Sequence, residues 1–154
     1  MGEQSRVLIV EARFYEDIAD ELAEGAIAVL EKAGVPFERV AVPGTFEVPA
    51  AIRFAIRSMQ VRSSTGRYSG FVALGCVIRG ETDHYDHIAR ESSRALMDLA
   101  THYSVALGFG ILTCENREQA WARASVDQKN VGGSAARACV RMMELKRDMR
   151  LVMR

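Results

Sequence analysis

The feature that most restricts what this chain can fold into is an abrupt change of pattern near its middle. Gly70 to Ile78 reads Gly-Phe-Val-Ala-Leu-Gly-Cys-Val-Ile. It is almost wholly apolar and rich in Val and Ile, as a strand covered on both faces has to be. Arg79-Gly80-Glu81-Thr82 then makes a turn. From Asp83 to about Tyr103 the apolar residues Ile88, Ala95, Leu96, Leu99 and Tyr103 fall at helical spacing. Such a strand–turn–helix sets backbone N–H groups and the positive end of a helix dipole at the carboxyl edge of a sheet, a ready anion site. His84 falls in the first helical turn beside it, where a titratable imidazole suits an active centre.

The rest of the chain repeats the alternation. Arg6–Val10 reads as a short buried strand and Glu11–Tyr15 as the turn after it. Glu16–Ala33 is helical by the spacing of Ile18, Leu22, Ala26, Val29, Leu30 and Ala33, with acids in its first turns and Gly34 and Pro36 to stop it. Phe37–Val42 is a strand, Pro43-Gly44-Thr45 a turn, and Val48 to Met59 a helix. Gln60 to Tyr68 is polar and reads as a surface connection. After the central strand and its helix come a strand at Val105–Thr113, a short helix at Asn116–Arg123 and a polar bend at Ser125–Val131. A last helix spans Gly132–Arg150, with Ala135, Ala136, Cys139, Val140, Met143 and Leu145 on its apolar side. Strands and helices in alternation imply a parallel sheet with helices on both faces, and ligands of such sheets bind at the carboxyl ends of the strands.

Length and charge narrow the classes of function. The 154 residues fit one domain, 1–154, large enough to fold without disulfide or metal. Twenty basic residues balance 20 acidic ones, so neither nucleic acid nor a membrane surface is an expected partner. Cys76, Cys114 and Cys139 are widely spaced and read as small reduced core residues, which fits the cytoplasm. The opening Met-Gly-Glu-Gln-Ser-Arg has no apolar signal core, and no run is long enough to span a membrane.

The unusual residues gather at the strand ends. Phe14 either packs under the following helix or stacks on a flat heterocycle. Glu47, after Phe46, either faces the helix dipole or accepts hydrogen bonds from a polyhydroxylated ligand. His84 and His87 are three apart and can share a metal in principle, but no third histidine is near them in sequence, and no metal site is expected. His84 is either a solvated helix-start residue or an acid or base beside the anion pocket. Arg123 and Lys129 belong either to a solvated bend or to a phosphate contact. A flavodoxin-type phosphate loop needs small hydroxyl and glycine residues after strand one. The chain has Glu11-Ala12-Arg13-Phe14-Tyr15 there, which argues against a flavin- or nucleotide-binding module.

Four segments together are more specific. Ala12-Arg13-Phe14, Val42-Pro43-Gly44-Thr45-Phe46-Glu47-Val48-Pro49, the run from Gly75 to Asp86, and the run from Phe109 to Asn116 resemble the signature segments of lumazine synthase. The resemblance extends from about Arg6 to the final helix. It implies a three-layer α/β/α fold, flavodoxin-like, with a four-stranded parallel sheet. It also implies a transferase of riboflavin biosynthesis with two small-molecule substrates and no cofactor. A ribitylamino-uracil amine condenses with dihydroxybutanone phosphate, phosphate and two waters leave, and dimethyl-ribityl-lumazine forms.

Residue by residue, the resemblance implies that Phe14 stacks on the uracil ring. Thr45, Phe46 and Glu47 hold the uracil–ribityl substrate, with the ribityl hydroxyls on the Phe46 backbone and Glu47. Val77 and Ile78 line the ring pocket, Phe109 packs on the ring side, and Asn116 lies near the ribityl group. Gly80, Glu81 and Thr82 receive phosphate together with Arg123, and His84 transfers protons. Sites of the family lie between neighbouring subunits of a homopentamer, with Phe109 and Arg123 from the second subunit, and some members build larger icosahedral shells. The chain departs from the family at Val131, where many relatives have lysine; Lys129, two residues earlier, is the candidate substitute for phosphate. That departure keeps open a catalytically weakened shell or scaffold of the same fold. The apolar tail (Met142, Met143, Met149, Leu151, Val152, Met153) suits either burial within the pentamer, a further partner or an engineered assembly.

Overall fold

The computed structural model describes residues 5–62 and 67–151. Four strands, β1 (Arg6–Ala12), β2 (Phe37–Val42), β3 (Tyr68–Ile78) and β4 (Leu107–Cys114), form one sheet in the order β2-β1-β3-β4. All three pairings are parallel, with Val10 opposite both Val40 and Ala73, and Phe71 opposite Leu107. The helices are α1 (Glu16–Lys32), α2 (Val48–Val61), α3 (His84–Tyr103), α4 (Arg117–Ala124) and α5 (Val131–Asp148), and Thr45–Glu47 forms a turn of 3-10 helix before α2.

The alternation of side chains along each strand divides the core. Val7 and Ile9 of β1 and Val72, Leu74 and Cys76 of β3 pack with α1, α4 and α5. Leu8, Val10, Phe71, Ala73 and Val77 pack on the other face with α2 and α3. This is why β3 is apolar at nearly every position: it is central and neither face meets water. The first of these layers is held unusually close. A Cβ at Gly132 would stand 2.0 Å from the Leu22 carbonyl oxygen, and one at Gly108 would stand 1.9 Å from that of Ala135. Glycine at both positions lets α5 lie directly on α1 and on β4.

The elements begin and end close to where the pattern places them, with instructive differences. β1 continues through Glu11 and Ala12, which the sequence assigns to a turn. Glu11 is 2% exposed, and its charge is met by Arg13 and by Arg39 of β2, the second of which the local sequence does not reveal. Ala33, expected on the α1 stripe, is instead the exposed C-cap before Gly34, whose φ of 70° ends the helix. Asn116 caps α4 from outside rather than opening it, and Val131 is the first residue of α5 rather than the end of the bend. α3 stops at Ser104, whose φ of 54° is left-handed, and Lys146 of α5 donates to its carbonyl. Of the connection after α2, residues 63–66 lie outside the described residues, as do Val152 and Met153 of the tail. Met143 packs against the core, whereas Met142, Met149 and Leu151 are exposed.

Candidate active site

The carboxyl ends of β1, β2 and β3 meet at a cavity of about 600 Å³. Each wall comes from a different loop. Phe14 and Tyr15 follow β1, Gly44 to Glu47 follow β2, and Cys76 to Ile78 close β3. His84, His87 and Ile88 of α3 complete the lining. A larger cavity of about 790 Å³ lies between α2 and α3, where Arg53 stacks over Tyr103 at 4.6 Å. It contains none of the residues that gather at the strand ends.

The cavity is apolar in body with polar groups at its rim. Phe14 is 73% exposed and Phe46 61%, so two aromatic rings stand largely uncovered. Phe14 touches the edge of Tyr15, with centroids 4.9 Å apart and planes at 80°. Thr45 is buried beside them, and among the described residues its hydroxyl has no hydrogen-bond partner. Glu47 is exposed and serves as the backbone N-cap of α2, yet its side chain makes no capping bond there. Its carboxylate is thus available to a ligand.

The loop Gly80–Thr82 forms the exposed rim between β3 and α3. It is fastened at Arg79, whose backbone N–H donates to the Cys114 carbonyl at 2.9 Å. The Arg79 guanidinium donates to Glu115 at 3.0 Å, approaches Asp86 at 3.5 Å and lies 4.3 Å over the Tyr85 ring. A Cβ at Gly80 would meet nothing within 4 Å, so the loop leaves its backbone approachable. Asp83 precedes α3 without capping it by its side chain, and the His84 N–H reaches Thr82 Oγ1 at 3.3 Å. His84 is exposed at the start of α3, and His87 pairs with Asp83 across 3.2 Å. Among the described residues no group of three His, Cys, Asp or Glu side chains comes together as a metal cage.

Eight residues singled out from sequence either line this cavity or border it: Phe14, Thr45, Phe46, Glu47, Val77, Ile78 and His84 line it, and Thr82 touches His84. Gly80 and Glu81 belong to the same rim loop. Four others stand apart within one chain. Phe109 is half exposed on the edge strand β4, opposite Ala73. Asn116 Oδ1 accepts from the Gln119 N–H at 2.8 Å and so caps α4. Arg123 donates to the Gln119 carbonyl at 3.4 Å, and Lys129 is exposed after α4, its backbone N–H bound to the Ala122 carbonyl.

Four lining residues had no site role assigned from sequence: Tyr15, Gly44, Ile88 and Cys76. The last faces the α1 layer as a core residue, and its burial pushes the thiol from 9.0 up to about 12, which keeps it protonated at neutral pH. The buried charge group around Glu11 was also invisible, because Arg39 lies 28 residues away on the neighbouring strand.

Sheet order and cavity define a flavodoxin-like α/β protein with a cavity at the carboxyl edge of its parallel sheet, where ligands of such sheets bind. The family model for 6,7-dimethyl-8-ribityllumazine synthase matches residues 4–147. The chain is 50% identical over 147 residues to the 6,7-dimethyl-8-ribityllumazine synthase of Paramagnetospirillum magneticum, covering 96% of this chain and 98% of that protein. It is 54% identical to that of Agrobacterium fabrum, over 93% and 95% of the two chains, and 55% identical to 6,7-dimethyl-8-ribityllumazine synthase 1 of Rhizobium meliloti, over 93% and 92%. The chain belongs to the lumazine synthase family.

Proposed function

We propose that this chain is an active transferase that makes dimethyl-ribityl-lumazine from a ribitylamino-uracil and dihydroxybutanone phosphate. The observation that carries the reading is the joint presence of Phe14, Phe46, Glu47 and His84 around one cavity, with an open turn at its rim. The substrate amine itself attacks the ketone, so the protein needs no nucleophile. What the reaction demands is proton transfer during imine formation, phosphate loss and ring closure. His84 is the group for that role, worth about 10²–10⁴-fold.

The remaining roles follow from the chemistry of each wall. Phe14 offers an uncovered face to the uracil ring, and Val77 and Ile78 line the same cavity. Glu47 accepts from ribityl hydroxyls, and Thr45 and Phe46 bound the same substrate. Gly80, Glu81 and Thr82 present backbone N–H groups to phosphate, which the α3 dipole favours. Holding both substrates in one cavity supplies much of the acceleration.

Phe109, Asn116, Arg123 and Lys129 do not line the cavity of their own chain. That favours a homopentamer whose neighbouring copy contributes Phe109 and Arg123, and the same assembly suits larger shells. Lys129 stands in for the lysine that relatives have at Val131. No cofactor or metal takes part in this scheme. We read residues 1–154 as one domain acting in the cytoplasm. Two features fit that reading: the three buried cysteines are free thiols, and no helix among the described residues is long and apolar enough to cross a membrane.

A catalytically weakened scaffold of the same fold is the second reading, and Val131 is the observation that favours it. Following lumazine absorbance after mixing the two substrates decides between them. Acceleration well above the spontaneous rate supports the enzyme; a large particle without acceleration supports the scaffold.

A further inference from the structure

The end of β1 carries a buried charge group whose outer members reach α1. The Glu11 side chain is 3% exposed. It accepts two hydrogen bonds from Arg39 of β2, at 2.6 and 2.9 Å, and one from Arg13 NH1 at 2.8 Å. Arg13 also donates through Nε and NH2 to Glu16 at 3.1 and 2.9 Å, and through NH2 to Asp20. Every nitrogen of the Arg13 fork is therefore engaged, and its backbone N–H donates to the Val42 carbonyl at 3.2 Å. A rigid fork held by three carboxylates is a fixed point in an otherwise short, open loop.

Phe14 is the next residue. The residue is 73% exposed, and among the described residues its ring has only the edge of Tyr15 for an aromatic neighbour. Packing does little to orient it, so its direction is inherited from the backbone at Arg13. We propose that Glu11 and Arg13 are positioning residues that preset the Phe14 ring for the flat heterocyclic substrate, without touching that substrate. The proposal rests on the reading of Phe14 as the stacking residue. A site held by supported loops loses less freedom on binding than one whose ring must be ordered by the ligand.

Steady-state kinetics of the purified full chain, varying each substrate with the other saturating, tests this. Arg13→Met is expected to raise KM for the ribitylamino-uracil about fivefold, the scale of one well-placed aromatic contact. KM for the phosphate-bearing ketone and kcat should stay within about twofold of wild type, because Arg13 contacts neither the rim loop nor His84. Arg13→Lys should recover part of the loss. In a Phe14→Ala background, Arg13→Met should add less than about twofold, since the ring it positions is gone. Where Arg13→Met does not fold, Glu11→Gln should give the same substrate-selective rise. An effect undiminished in the Phe14→Ala background, or an equal rise for both substrates, would overturn the positioning role. If Phe14→Ala raises KM for the uracil substrate but neither Arg13→Met nor Glu11→Gln does, the inference fails while the stacking role stands. If Phe14→Ala itself leaves that KM unchanged, the stacking role fails, and the inference with it.

Discussion

Gly75 lies directly against the Thr45 hydroxyl: a Cβ at Gly75 would stand 2.6 Å from Thr45 Oγ1, with Ile111 Cδ1 at 3.1 Å and Ala12 Cβ at 3.2 Å. The missing side chain of the central strand is what admits Thr45 to the floor of the cavity. Gly75→Ala should therefore destabilise by about 1–3 kcal/mol through overpacking. Thr45→Ala in the same chain should return part of that loss, because it removes the atom that clashes. Denaturant unfolding of the two single variants and the double variant checks this; additive losses would show that the two sites do not share the space.

Arg79 ties the rim loop to Glu115 and Asp86 while remaining 40% exposed in its side chain. Exposed pairs of this kind contribute about 0–1 kcal/mol, so Arg79→Ala should barely change thermal stability. It should instead loosen Gly80–Thr82 and raise KM for the phosphate-bearing ketone. Substrate-specific kinetics beside a melting curve separate the two effects. A rise in KM confined to the uracil substrate would contradict the assignment of the loop to phosphate.

The cysteines give a pH dependence with a definite sign. Burial raises Cys76 and Cys139 from 9.0 to about 12, and Cys114 also moves up. The folded state thus holds these protons more tightly than the unfolded one. Their contribution to stability is complete below pH 9 and is lost as pH rises from about 9 toward 12. Urea midpoints should fall across that range, and Cys76→Ala should fall less steeply than wild type. Equal slopes for the two would contradict the assignment of a stabilising buried thiol to Cys76.

The proposal that neighbouring copies share the site makes a prediction that single-chain effects cannot imitate. Arg123→Ala should mainly raise KM for the phosphate substrate. Mixed assemblies of His84→Ala and Arg123→Ala chains, formed by joint refolding, should then regain activity, since some sites would receive His84 from one copy and Arg123 from the other. Native mass and lumazine formation on the same mixtures measure it. A mixed assembly no more active than the average of its parents would place both groups in one chain's site.

The fold was legible because β3, at the centre of the sheet, is buried on both faces. That forces β3 into an unbroken apolar run, and the abrupt change after Ile78 marks where strand gives way to the turn before α3. The lining of the cavity was legible where a residue was out of character with its place, as with Phe14, Glu47 and His84. It was not legible where a side chain met its partner from another strand. Glu11 looked like the first turn residue because its Arg39 partner becomes a neighbour only through the β1–β2 register. Asn116 showed a further limit: an asparagine before a helix has a cap to make, whatever else it does.

The central claim is that this cavity performs the condensation with His84 as its proton-transfer group. The most direct measurement is the rate of lumazine appearance from the two substrates at equal concentrations of wild type and His84→Ala. Wild-type formation should run well above the spontaneous rate. The variant should lose about 10²-fold or more in kcat. The variant's circular dichroism and particle mass should be unchanged, since His84 is exposed. A folded wild-type chain no faster than the spontaneous reaction, or a His84→Ala variant as fast as wild type, would contradict it.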